Sequence, residues 1–162
     1  MKMKKMKVKG FTLIELLIVV SLIGIIAAIV IPNLMAALHK GKQKASIGDM
    51  KTIGTAIEAY MTDTGMAPGG GAASTIVDVE SYLASFYLAH LPLRDGWGTP
   101  FVYQSGPEGV DQAYYSIFSY GRDKTFSGID PDNSNYIVDN MLVFDNDICF
   151  SNGTFTYGPK VK

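Results

Sequence analysis

The sequence predicts an α+β protein: one long N-terminal helix, apolar in its first half and amphipathic in its second, packed on a small antiparallel β-sheet head. Three observations predict it. Residues 11–31 form an apolar run whose only charge is Glu15. Beyond that run, Leu34, Leu38, Ile47, Met50, Ile53, Ile57, Tyr60 and Met61 recur mostly three or four positions apart, the spacing of one helical face. From Phe101 onward, short aromatic and β-branched runs alternate with Gly, Pro, Asn and Asp, the pattern of strands and turns. The 162 residues suit one ordinary domain plus a membrane segment.

The first element is a basic leader at residues 1–10. Lys2, Lys4, Lys5, Lys7 and Lys9 precede Gly10 without an acid among them. Without this leader, nine basic side chains face fifteen acidic ones, a balance of −6, which argues against a general nucleic-acid surface. The second element, residues 11–31, has the length of roughly 20 residues that crosses the hydrocarbon core as a helix. A secretory signal has a shorter apolar core and a small-residue cut site after it. Here the only plausible cut site, Gly10, comes before the run, so cleavage would leave the anchor in place. The leader lysines outnumber Lys40, Lys42 and Lys44 beyond the run, which places the N-terminus in the cytoplasm and the rest outside.

Glu15 is the anomaly, because a carboxylate in a membrane helix costs a few kcal/mol unless it is paired. Cutting after Gly10 would make a partner, the cationic α-amine of Phe11. That amine could meet Glu15 within its own helix or on a neighbouring one, and the second pairing would set the axial register between subunits. A surface glutamate near the interface is the plainer alternative.

The run Lys9-Gly10-Phe11-Thr12-Leu13-Ile14-Glu15-Leu16-Leu17 closely resembles the leader of type IV pilins and their relatives, the pseudopilins. The resemblance implies a type IV pilin-like fold, cleavage by a prepilin peptidase after Gly10, and methylation of the new Phe11 amine. It further implies that Glu15 assists docking into a helical homopolymer, and that Pro32 is the family's helix-kinking proline. The partners implied are the peptidase, an inner-membrane assembly platform, minor pseudopilins and the inner membrane, with no nucleic acid.

The third element, residues 32–64, continues the helix. Pro32 should kink or open it locally, and Gly41, Gly48 and Gly54 should each weaken it by roughly 1 kcal/mol relative to alanine. Residues 65–162 form the head. Gly65 ends the helix, and residues 66–75 read as a flexible linker around Gly69-Gly70-Gly71. A second helix is expected over residues 77–90, where Val79, Tyr82, Leu83, Phe86 and Tyr87 share a face, closed by Pro92. Strands are expected at residues 101–104, 114–120, 136–144 and 148–157. The first two should pair as a hairpin across residues 106–109, and Asn152-Gly153 offers a further tight turn.

Two head segments narrow the resemblance. Asp95-Gly96-Trp97-Gly98-Thr99-Pro100-Phe101-Val102-Tyr103 resembles the Asp-Pro-Trp-Gly-x-Pro-Tyr segment of the major pseudopilin of type II secretion. Ile117-Phe118-Ser119-Tyr120-Gly121-Arg122-Asp123-Lys124 resembles that family's apolar-Ser-x-Gly-x-Asp-Gly run. Gly96 stands for the family's proline, Lys124 for its glycine, and the tail from Asn133 is longer. Trp97 is expected to tuck into the head core.

Six aspartates fall between Asp123 and Asp147, a density of hard oxygen donors that suits calcium. The resemblance makes Asp123 the best-matched ligand, with Asp130 and Asp132 carried over less closely; acidic loops are also commonly just solvated. Cys149 is the sole cysteine, which excludes an internal disulfide and leaves a small buried hydrophobe as its plain role. Many type IV pilins close a C-terminal loop with a disulfide, so a single cysteine favours the secretion pseudopilin over a pilin for adhesion, motility or DNA uptake. No nucleophile elbow, metal-binding His pair or CxxC supports an enzyme, although a monomeric, membrane-anchored binding domain or calcium-dependent enzyme remains the alternative from another class.

Overall fold

The computed structural model describes residues 10–69, 74–84, 86–106, 113–126, 128, 137–139 and 143–159, with 137–139 described by backbone alone. Helix α1 spans Leu13–Thr64 and carries Pro32 in its interior. Pro32 cannot donate to the carbonyl four residues back, yet the helix assignment runs through it without a break. Next to it, the Asn33 side chain donates to Ile29 O at 3.1 Å, a local bond beside the missing one. The chain divides into two compact units, residues 1–37 and residues 38–162.

The first unit is the apolar part of α1. It contains the stretch long and apolar enough to cross a membrane, with a mean hydropathy of 3.0. Its Leu, Ile and Val side chains are exposed in the single chain, a continuous apolar surface that water alone does not accommodate.

The second unit is built on a six-stranded sheet. Strands β1 (Ser74–Thr75), β2 (Val102–Ser105), β3 (Tyr115–Ser119), β4 (Ile137–Asp139), β5 (Ile148–Ser151) and β6 (Thr154–Pro159) are ordered β1-β2-β3-β5-β6-β4. All pairs are antiparallel except β4 with β6. The expected hairpin of β2 and β3 forms, with Tyr103 opposite Ile117. The expected 148–157 run is two strands, because Asn152 (φ 44°) and Gly153 (φ 82°) make a two-residue turn. Positive φ at both central positions matches the twist of the flanking strands. The expected 136–144 strand is only three residues long among those described, and it pairs parallel.

The helix expected over 77–90 is a 3-10 turn at Ile76–Val79 followed by one α-turn, α2, at Glu80–Leu83. Ala84 then turns extended, at φ −63° and ψ 143°. The aromatics that suggested one helical face are distributed differently. Tyr82 and Tyr87 pack edge-on against Tyr60 of α1, the Tyr87 hydroxyl donates to Asp63 at 2.9 Å, and Phe86 is 82% exposed. Contacts to α1 outweigh the weak helix propensity of these β-branched and aromatic residues. The linker at residues 66–75 is also more packed than expected where it is described. Ala67 is buried, and Pro68 O accepts from the buried Tyr103 hydroxyl at 2.8 Å.

The core lies between α1 and the sheet. Met50, Ile53 and Ile57 of α1 meet Tyr103, Tyr115, Ile117, Ile148 and Phe150 of β2, β3 and β5, with Ile76, Val79 and Leu83 closing one side. Burying side chains of this size stabilises by roughly 1.5–3 kcal/mol each.

Candidate functional site

The N-terminal segment is built from local chemistry. Gly10 and Phe11 precede the first helical residue, Leu13, and lie outside regular structure; Phe11 is 75% exposed. Among the described residues, a side chain added at Gly10 would meet nothing within 4 Å. Thr12 then caps α1. Its backbone N–H donates to Glu15 Oε2 at 2.9 Å and its hydroxyl to the same oxygen at 2.6 Å, while Glu15 N–H donates to Thr12 Oγ1 at 3.3 Å. This reciprocal capping box satisfies helix donors that would otherwise be orphaned.

The capping role of Glu15 went unread in the sequence, although the signal was there: Thr12-x-x-Glu15 directly before an apolar run. It places the carboxylate at the helix N-terminus, where negative charge is favoured by the backbone dipoles. Both Thr12 donors converge on Oε2, so Oε1 carries neither bond.

In the head, the 95–99 turn meets α1 rather than the core. Trp97 is only half-buried and its indole N–H donates to His39 Nδ1 at 3.4 Å, so the expectation of a core tryptophan is corrected. Asp95 organises the turn instead. Its Oδ1 accepts from Trp97 N–H at 2.9 Å and Thr99 N–H at 2.8 Å, and its Oδ2 from the Ser119 hydroxyl at 2.8 Å. Gly96 donates to Ser46 Oγ at 2.9 Å. A Cβ at Gly96 would fall 2.8 Å from the Lys42 carbonyl carbon and 2.9 Å from its Cα. The glycine that departs from the related segment is thus the residue that lets this turn approach the helix backbone.

Of the calcium candidates, Asp123 is exposed and its Oδ1 accepts from Thr125 N–H at 3.0 Å. Asp130 and Asp132 lie outside the described residues. Among the described residues, no three His, Cys, Asp or Glu side chains gather as metal ligands. Arg122 grips Asp145 through two 2.6 Å bonds, which hold the Asp145 carboxyl below the usual carboxylate range. Lys124 sits at φ 61°, a conformation that glycine adopts without cost, which explains why the related run carries glycine there. Cys149 is fully buried on β5 beside the Ser151 hydroxyl at 3.4 Å, and burial pushes its thiol up.

An apolar N-terminal helix with a capped start, continuing into the helix that packs on an antiparallel sheet, defines a type IV pilin-like protein. Residues 5–31 match the prokaryotic N-terminal methylation motif. Residues 33–136 match protein G of the type II secretion system, and the chain belongs to that family. It is 31% identical to the type II secretion system core protein G of Aeromonas hydrophila over 143 residues, 83% of this chain and 96% of that protein. It is 31% identical to that of Pectobacterium carotovorum over 136 residues, 72% of this chain and 86% of that protein. The same identity holds for Vibrio cholerae over 129 residues, 75% of this chain and 86% of that protein.

Proposed function

We propose that this chain is the major subunit of a type II secretion pseudopilus, a structural polymer that carries no catalytic step of its own. The observation that carries the reading is the protein G match across residues 33–136, which spans the amphipathic half of α1 and much of the head. In this reading, residues 11–31 hold the subunit in the inner membrane, with the leader cytoplasmic and the head periplasmic. Prepilin peptidase hydrolyses the Gly10–Phe11 bond, leaving a cationic amine on Phe11 that is then methylated. Glu15, already directed by Thr12, accepts the Phe11 amine of the neighbouring subunit and thereby sets the register. Pro32 supplies a point where the helix lacks a bond and can adjust as subunits pack. Subunits added at the membrane base, with an assembly platform and minor pseudopilins, push secreted proteins outward.

Glu15→Ala should leave the protein membrane-inserted and cleaved but unable to polymerise, as read by the yield of filaments sheared from cells. Normal filament yield from that variant would sink the pairing.

We also propose that the loop following Gly121 holds calcium, with Asp123 a ligand and Asp130 and Asp132 completing the oxygen set. The exposed, oriented carboxylate of Asp123 supports this. Calcium would fix the loop and stabilise the head by mass action, so the melting temperature should rise with calcium concentration. Asp123→Ala should lose most of that rise. Identical melting in calcium and in chelator would remove the metal from the account.

A further inference from the structure

A cluster where α1 meets the 95–99 turn has no part in polymerisation as proposed above. Trp97 Nε1 donates to His39 Nδ1 at 3.4 Å. An indole N–H can only donate, so the nitrogen facing it must be bare, and the pairing requires neutral His39 with its proton on Nε2. The His39 ring also lies against Phe144, with centroids 5.4 Å apart and planes at 33°.

The charged groups around it come from four segments. Asp145 follows Phe144, and the field of His39 adds to the Arg122 bond that lowers its carboxyl. Arg122 holds Asp145 from the 121–124 turn. Asp147 is buried on the same strand approach as Asp145, Asp95 is engaged within its own turn and by Ser119, and Arg94 donates to Gly98 O of that turn at 2.8 Å. On α1 itself, Lys40 and Lys42 are exposed neighbours, while Gln43 donates to Val143 O at 3.2 Å.

We propose that His39 is a proton-operated clasp: neutral, it holds the Trp97 turn on α1; protonated, it releases Trp97 and turns to Asp145. Protonation places an N–H on Nδ1 directly opposite the indole N–H, and two donors cannot bond. The cation gains a carboxylate partner one residue beyond the ring it already touches, in competition with Arg122.

Release is local. Neither His39 nor Trp97 belongs to the core cluster, and Gly96 keeps its bond to Ser46 Oγ at 2.9 Å. His39 stands one residue into the unit that begins at Leu38. Acid would therefore free the first turns of α1 within this unit from the turn that covers them, and leave the sheet and its core untouched.

The chain is suited to the test, since it holds one tryptophan and two histidines. Full-length protein in lipid nanodiscs is titrated from about pH 8 to about pH 5, following tryptophan emission, indole N–H exchange and far-ultraviolet circular dichroism. Emission should change in a one-proton step and indole exchange should quicken severalfold, while the dichroism stays constant. His39→Gln, whose amide oxygen can still accept from the indole, should abolish the step, and His90→Gln should keep it. A flat wild-type profile, or an unchanged step in His39→Gln, overturns the proposal. Should His39→Gln fail to fold, Trp97→Phe provides the second test, read by the imidazole resonances of His39. Loss of the indole donor should release His39 from the tautomer with its proton on Nε2, read by the two ring nitrogen shifts at about pH 8, and an unchanged tautomer overturns the clasp.

Discussion

At the scale of single residues, Asp95 shows how much one buried carboxylate can organise. It is 6% exposed and accepts three hydrogen bonds, two from its own turn and one from Ser119 at the end of β3. Truncation strands two backbone donors and a buried hydroxyl, each an unmet desolvation cost. Asp95→Ala should therefore destabilise the head by roughly 2–4 kcal/mol, read as a shift of the denaturation midpoint. A change under about 0.5 kcal/mol would mean that water replaces all three bonds. The sequence did carry a hint of this role, because aspartate before Gly-x-Gly is a turn-forming pattern. That its second oxygen meets Ser119 was not legible, since the two residues are joined only by the fold. The reverse holds for Glu15 and Thr12, whose contact is three residues long and was readable from spacing alone.

At the scale of elements, the three glycines in the second half of α1 look equivalent in sequence and are not equivalent in the fold. A Cβ at Gly41 or Gly48 would meet nothing within 4 Å. At Gly54 it would collide with the Phe150 ring, coming 3.0 Å from Cδ1 and 3.1 Å from Cζ. Gly48→Ala should thus stabilise by about 0.5–1 kcal/mol through helix propensity. Gly54→Ala should destabilise despite the same propensity gain, because Phe150 must leave its place against the helix. Thermal melts of the two variants should move in opposite directions, and parallel shifts would contradict the packing. Elements with strong local signals were legible: α1, the β2–β3 hairpin and the Asn152-Gly153 turn. The helix expected over 77–90 failed because Tyr60 and Asp63 recruit Tyr82 and Tyr87 one by one, a competition that periodicity cannot register.

At the scale of the whole head, two buried tyrosines fasten the sheet to what surrounds it. Tyr115 donates to Gly54 O at 3.3 Å and to Glu58 Oε1 at 3.0 Å on α1, while Tyr103 donates to Pro68 O at 2.8 Å. Burial first, and for Tyr115 the Glu58 bond next, push both phenols well above the usual tyrosine range. Groups raised in this way contribute stability that is complete below the ordinary tyrosine value of about 10 and is lost as pH rises beyond it. Two tyrosines should resist ionisation until the head unfolds, so alkaline phenolate absorbance and loss of circular dichroism should rise together for that fraction. Ionisation of all nine tyrosines ahead of unfolding would contradict this. Strands β5 and β6 lie beyond residue 136, where the protein G match ends, yet Ile148 and Phe150 of β5 are part of the core. Within the longer tail noted in the sequence, β5 is therefore structural, and it extends the sheet beside β3.

The sequence by itself determined the apolar span, the class of fold and the family. Each of these follows from interactions a few residues long or from the periodicity of one element against a solvent. Only the tertiary structure decided that Trp97 reaches His39 rather than the core, and that Gly96 and Gly54 are contact points rather than weak spots. It also decided that the aromatic run after β1 folds as a short turn on α1. These outcomes depend on which backbone approaches which at separations of some twenty to a hundred residues, where packing and hydrogen-bond satisfaction override local preference.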